Sequence, residues 1–599
     1  MQRFAFLLIL VVLTTAALAE SEVYISARTD GQDGTGTPAD PFNGSTQQKF
    51  DGVLAKLGPG TTIHIGAGTF HTKGEASFKL QPNTKVRGAG MEVTKIIQDG
   101  TGKVSAIVFA GRADGVEIED LSIDCGYQNQ RVVDGKIKAN VAAINLGGSH
   151  IAVRRCLVRN YGSPYDAETG ENFAVFIGSP DPDNGENLVV EDCIFAGMSP
   201  LCAAGASVLT IAGGPPANTL EAGNWARGTV ARRNHFTGYH YGCHGVTMSG
   251  AQGGIIADNV FEHFMGACVY QDTWPMRDIV IQNNIMSDVN QGIRLAGDNL
   301  DMNNFQIRNN ILLVNDGYDL KCVEKGVAHT VIPHTFAVGN KIAFKGLKIT
   351  DGKGLAGDCA YVTSIPSPSS FTYSLVRGGA SDTADTAAGG FIQPLDYQGC
   401  MCPAPEAIVI FSGGGEKLHP PKNFAIDRNV IKSYSSDDSC RVRSTGILLQ
   451  NLQHSLVTNN IVVDSGNHRD LLIVSTKGFS SSVICRDNYH PDLTPLMPRD
   501  GKLNIIPNGL LDLPLEAGRG IALMPNNGKI RIEATGIGAG ATGEASAPTI
   551  ARQVSPVGPA ANHNSPGKPG DYALHSGYLY LYTGDGTAHE WKRIQLVDY

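Results

Sequence analysis

The sequence predicts an all-β protein wound as a parallel β-helix, and three observations carry the prediction. IADNVF, IQNNIM and IRNNIL set Asn259, Asn284 and Asn310 in one context at steps of 25 and 26 residues, the mark of a solenoid. Each copy holds an apolar residue three before the asparagine and another two after it, an alternation that belongs to a strand. A second alternating run punctuated by glycine follows, as in QGIRLAG (291–297), GVTMSG (245–250), VLTIAGG (208–214), GILLQN (446–451) and AAINLGG (142–148). Leucine-rich repeats use a similar Asn or Cys position, but they continue into a leucine-spaced helical return, whereas these runs are strands rich in Ile and Val.

The repeated position extends to Asn234, Asn429 and Asn460, and Cys156 and Cys193 fill it in VRRCLV and VEDCIF. An asparagine amide both donates and accepts, so a stack of them bonds one coil to the next along the solenoid axis. A cysteine serves there as a small buried residue.

Taken in order, residues 1–19 read as a secretory signal: Arg3, an apolar run from about Phe4 to Val12, then Ala17-Leu18-Ala19 as the cleavage site. Residues 20–103 lead into the coil with strands and Gly-rich turns, and KFDGVLAKL (49–57) has helical spacing suited to covering the open first coil. Residues 104–325 are coils. Residues 326–393, with HTFAVGNKIAFKGL and CAYVTSIPSPSSFTYSLV, read as a small β domain inserted into a coil loop. The final coils occupy 394–498, and 499–599 read as a Gly/Pro/Ala-rich linker and a terminal β hairpin, GYLYLYTGDGTAHEWKRIQL.

The length of 599 residues and an apolar content of 42% allow a large core, and 72 glycines suit many tight turns. Removal of the leader, with its single Arg and no acid, takes the formal charge from −9 to −10 and argues against nucleic-acid affinity. No later segment is long and apolar enough to span a membrane. Twelve cysteines in an exported chain allow disulfides, with Cys400 and Cys402 available to pair near the insertion. No second Cys/His pair at ligand spacing supports a zinc site there.

RGAGMEVTKI, DGTGTPADPF and the coil repeats together resemble the pectate-lyase superfamily of right-handed parallel β-helix, pectin-lyase-like proteins, over roughly residues 22–490. The resemblance implies an exported protein, secreted, periplasmic or at the cell surface, acting on a polysaccharide laid along the outer face of one sheet. The insertion resembles small β modules of phage-tail and bacterial surface proteins. The last segment is similar to tail-end modules of fibre-like proteins, which would make the tail a route to oligomers.

Outward residues of the second strand in each coil are candidates for a site, since neighbours alternate between core and solvent. Strict alternation puts Arg294 outward between Ile293 and Leu295, Tyr270 and Asp272 outward one coil earlier, and Thr247 outward before that. Aligning DGYDLKC by its glycine places Asp319 beside Arg294 and Lys321 two further along, with Thr210, Phe176, Ile410 and Leu448 in the same column. β-Elimination from a uronic acid needs a base beside the carboxylate and a cation to hold the charge that develops on it. Arg294 or Lys321 would supply base or clamp, and Asp272 with Asp319 would hold a Ca²⁺ bridging to the sugar. Hydrolysis needs two carboxylates instead, and Asp272 and Asp319, two coils apart at about 10 Å, lie near the wide end of the inverting range. Tyr270, Trp274, Tyr241 and His244 offer surfaces for sugar binding without chemistry. The bland alternatives are an Arg294–Asp319 surface ion pair and an inward, hydrogen-bonded His244. Asp437-Asp438 reads as a solvated turn, and Arg87 to Gly90 is followed by a strand, so it forms no phosphate cradle.

Overall fold

A computed structural model describes most of residues 21–500. The exceptions include 127–139, 163–172, 199–205, 214–224, 239–242, 272–273, 298–301, 352–358, 396–404, 413–419, 435–443, 464–469 and 475–482; beyond 500 it describes five short strands. The expected signal segment, Tyr241, Asp272, Asp437 and the Cys400/Cys402 pair therefore lie outside the described residues. The described part is a parallel β-helix, with twenty-four strand segments in one parallel sheet and eleven in another.

One coil shows how the sequence produces this. Met276–Gln282 is a strand of the larger sheet, Asn283 turns the chain, Asn284 points into the core, and Ile285–Val289 continues the same sheet. Gln291–Gly297 then crosses to the smaller sheet. The repeat motif is thus a bend between two strands, where alternation alone suggested one. The reason is backbone conformation: Asp258, Asn283 and Asn309, each just before a ladder asparagine, sit at φ of 57°, 55° and 55°. Short polar side chains tolerate that left-handed region better than other non-glycine residues.

The asparagine stack forms as expected and runs to Asn488. Backbone N and Nδ2 of Asn284 donate to Oδ1 of Asn310 at 3.0 and 2.9 Å, while its Nδ2 also donates to the Ile256 carbonyl at 3.0 Å. The ladder crosses the insertion without a break, with Asn310 Nδ2 donating to Asn429 Oδ1 at 3.0 Å, and Cys193 N joins it by donating to Asn234 Oδ1 at 3.0 Å. Apolar stacks run parallel to it: the rings of Phe195, Phe236 and Phe261 follow at 4.9 and 4.8 Å, the repeat of adjacent strands.

The predicted cap is helix α1, Gln47–Leu54, whose N-cap Thr46 accepts from Lys49 N and whose Phe50 packs on Phe70 at 5.2 Å. The insertion is an eight-stranded antiparallel sheet with its own core of Tyr318, Val323, Phe344, Phe371 and Tyr373. It begins at Tyr318–Glu324 and ends at Phe391–Pro394, so its start precedes the expected residue 326. Asp288 on the coil receives it: Tyr318 Oη and Thr335 Oγ1 both donate to Asp288 Oδ2, the latter at 2.9 Å, and Asn315 Nδ2 donates to Oδ1 at 2.9 Å.

At the C-terminus, Tyr578–Tyr582 and Trp591–Gln595 pair antiparallel as predicted; Tyr572–His575 adds a third strand, and Ile521–Asn526 pairs with Lys529–Ala534 in a hairpin that the sequence reading did not foresee. Among the described residues no helix is long and apolar enough to cross a membrane. The described cysteines, Cys156, Cys193 and Cys268 among them, are free thiols.

Candidate functional site

The smaller sheet presents an outward face whose pattern is not a strict alternation. Ala407 and Ile408 both belong to the core, as do Cys268 and Val269, Ala174 and Val175, and Val108 and Phe109. Gly245, Gly292 and Gly446 take the first inward place in their strands: an added Cβ would lie 2.5, 2.4 and 2.5 Å from the backbone carbonyl of the next strand. Two consecutive inward residues leave positions i and i+3 outward, so each strand contributes two residues to the face. One column runs Phe173, Ser207, His244, Ala267, Gln291, Glu406 and Thr445, and the other runs Asn145, Phe176, Thr210, Thr247, Tyr270, Arg294, Val409 and Leu448.

This register corrects the expected neighbour of Arg294. The strand beside it is Glu406–Ser412, with Val409 in the place assigned to Asp319, and Ile410 in the core. Asp319 instead pairs with Phe391 in the antiparallel insertion. Lys321 lies on the same strand, where its carbonyl accepts from Gly389 N at 3.2 Å. DGYDLKC misled the alignment because an antiparallel strand alternates as a parallel one does, and a glycine opens both. The Arg294–Asp319 ion pair, the Asp272–Asp319 carboxylate spacing and the calcium site built on it therefore do not assemble on this face. Among the described residues no group of three or more His, Cys, Asp or Glu side chains converges to hold a metal.

What gathers around Arg294 is a different set. Glu406 Oε2 accepts from Arg294 Nη1 at 3.5 Å and from Gln291 Nε2 at 3.1 Å. The Arg294 side chain keeps 30% of its exposure and Glu406 21%, so the pair is half-buried and open to a ligand. The guanidinium also lies 5.4 Å from the centre of the Phe411 ring. Tyr270, on the strand before Arg294, stacks on His244 with ring centres 3.9 Å apart and planes 11° from parallel.

The electrostatics separate these groups. Burial raises the proton affinity of the Glu406 carboxyl, and the Arg294 cation and the Gln291 amide oppose it without cancelling it. Burial first, and the Arg294 charge second, lower the His244 imidazole to about 3. His244 Nδ1 accepts the Ala267 backbone N–H at 3.0 Å, which assigns the ring proton to Nε2. His244 is therefore a neutral hydrogen-bond donor on the outward face, where the sequence left an inward histidine open.

Trp274 follows the Tyr270 strand, its carbonyl accepting from Gln271 Nε2 at 3.0 Å. Sequence reasoning missed Glu406 and Gln291. Strict alternation hides them at i−3, and Glu406 lies 112 positions after Arg294, beyond two coil strands and the insertion. The available signal was the PEAIVIF run, aligned on the Asn429 rung that follows it.

No model of a known protein family matches the chain. No curated protein matches it significantly. Among solved structures it is similar to a DFA-IIIase from Arthrobacter chlorophenolicus A6, at 13% identity and a TM-score of 0.41 over 82% of this chain and 99% of that one. PfbA, a surface adhesin of Streptococcus pneumoniae, matches at 11% identity and 0.40, over 82% and 96%. A GH136 lacto-N-biosidase from Eubacterium ramulus matches at 11% and 0.38, over 78% and 68%. At these scores the likenesses assign no activity to this chain.

Proposed function

We propose that this chain is an exported carbohydrate-active protein that cleaves uronate-containing polysaccharides by β-elimination on the face around Arg294. The observation that carries this reading is the half-buried Arg294 cation beside a carboxyl of raised proton affinity, on a flat outward sheet. Arg294 would pair with the sugar carboxylate and stabilise the charge that develops on it as the adjacent carbon loses its proton. His244 Nε2–H would add a second donor to that charge. Tyr270, as the phenolate with its own proton already given to water, would accept the proton, and the electron pair would form the carbon–carbon double bond as the glycosidic C–O bond breaks. Glu406, in molecules whose carboxyl holds a proton, would give that proton to the leaving oxygen.

Hydrolysis is the second reading. It is favoured by Glu406, whose raised proton affinity suits a general acid. The purified mature chain assayed on a panel of uronate polysaccharides, with and without a chelator, separates the readings. A lyase forms an unsaturated product that absorbs in the near ultraviolet, and a hydrolase forms reducing ends without it. Binding with neither product would leave a non-enzymatic surface or fibre-like role. Export is tested by N-terminal sequencing of the secreted chain, expected to begin at Glu20, and oligomerisation through the tail by comparing the mass in solution with and without residues 499–599.

A further inference from the structure

We infer that the same outward face carries a distal saccharide-binding recess at its first rungs, which holds the far end of the anionic glycan whose reacting bond lies at Arg294. The inference rests on the lyase reading above and adds where, and how far away, the chain is gripped.

A cavity of about 630 Å³ opens on the first strands of the smaller sheet, lined by Glu75, Lys79, Arg112, Asn145, Phe173 and Phe176. That volume is in the range of small-molecule sites. Its floor follows from the register. Phe176 and Asn145 stand in the Arg294 column, while the next column along holds Gly147, paired with Arg112, and Gly178, paired with Ala212. With no side chain at either glycine, the sheet is bare beside the Phe176 ring. At Gly178, moreover, φ is 117° and an added Cβ would meet the Ala212 carbonyl at 1.9 Å, so the recess cannot fill without moving the strand.

The wall is aromatic. Phe173 and Phe176 lie 5.3 Å apart and join Ile107, Ala110 and Ala142 in an apolar cluster separate from the coil core. Phe173 and the three aliphatic residues are buried on the outward side of the sheet, and Phe176 is the member that keeps a partly exposed ring. The polar lining is mainly cationic, with exposed Lys79 and Arg112 against a single half-buried Glu75. An apolar ring beside a bare floor, with cations in the same lining, fits a sugar ring that carries a carboxylate. Phe176 is four strands from Arg294, about 19 Å along the axis, so one oligosaccharide must be several sugars long to touch both.

The test is steady-state kinetics of the full mature chain on uronate oligosaccharides of graded length, with Phe176→Ala and Lys79→Gln as variants and thermal melts as the folding control. KM should rise about tenfold for long oligomers in Phe176→Ala, with kcat and short-oligomer kinetics unchanged; Lys79→Gln, exposed and harmless to folding, should shift KM the same way. Turnover by wild type with variant KM values independent of chain length would overturn the recess and leave the lyase reading standing. Wild type inert on every uronate would remove the lyase reading and this inference with it.

Discussion

Asn284 Oδ1 accepts two hydrogen bonds at once. Replacing Asn284 by Ala strips the acceptor from both the backbone N and Nδ2 of Asn259, which donate to it at 3.1 and 3.0 Å in a fully buried setting. Two orphaned buried donors cost about 3 kcal/mol, read as a lower denaturant midpoint for Asn284→Ala at unchanged slope. His244 makes a different prediction. Its folded value of about 3 lies below the roughly 6.5 of an unfolded histidine. A depressed base is worth most to the fold above the unfolded value, and the contribution is lost as pH falls from about 6.5 towards 3. Chemical denaturation across that window should show His244→Gln declining less steeply than wild type. Arg294→Ala should push Glu406 further up, because the cation opposing its burial is gone; carboxyl NMR or the pH profile of residual activity reads the direction. The ladder was legible because one side chain recurs in one context. Glu406 was not, because its place depends on two inward neighbours and on a partner 112 residues away.

At the level of the element, the corners decide what the coil tolerates. Asp258 holds φ at 57° just before Asn259. Asp258→Gly should leave stability within a few tenths of a kcal/mol, whereas Asp258→Val should cost about 1–2 kcal/mol, since a β-branched residue resists the left-handed region. Thermal melts of the two variants check this, and equal melting points would contradict it. The helical cap was legible at KFDGVLAKL because its spacing differs from everything around it. The start of the insertion was not: Tyr318–Glu324 alternates like a coil strand, and only its antiparallel partners reveal its sheet. The bend at each ladder asparagine was equally hidden, because three apolar residues about a corner give the same spacing as a short strand.

Across the whole molecule, the period of the sequence specifies the solenoid, and stacking turns residues distant in the chain into neighbours on one face. The period does not specify the register across a long insertion, and the face depends on that register. The measurement that tests the account most directly is the initial rate of unsaturated-product formation by wild type, Arg294→Ala, Glu406→Gln and Asp319→Ala on the same uronate polysaccharide. A loss of about a hundredfold or more is expected for Arg294→Ala and Glu406→Gln, and a near-wild-type rate for Asp319→Ala. A collapse of activity in Asp319→Ala with Glu406→Gln unaffected would contradict it.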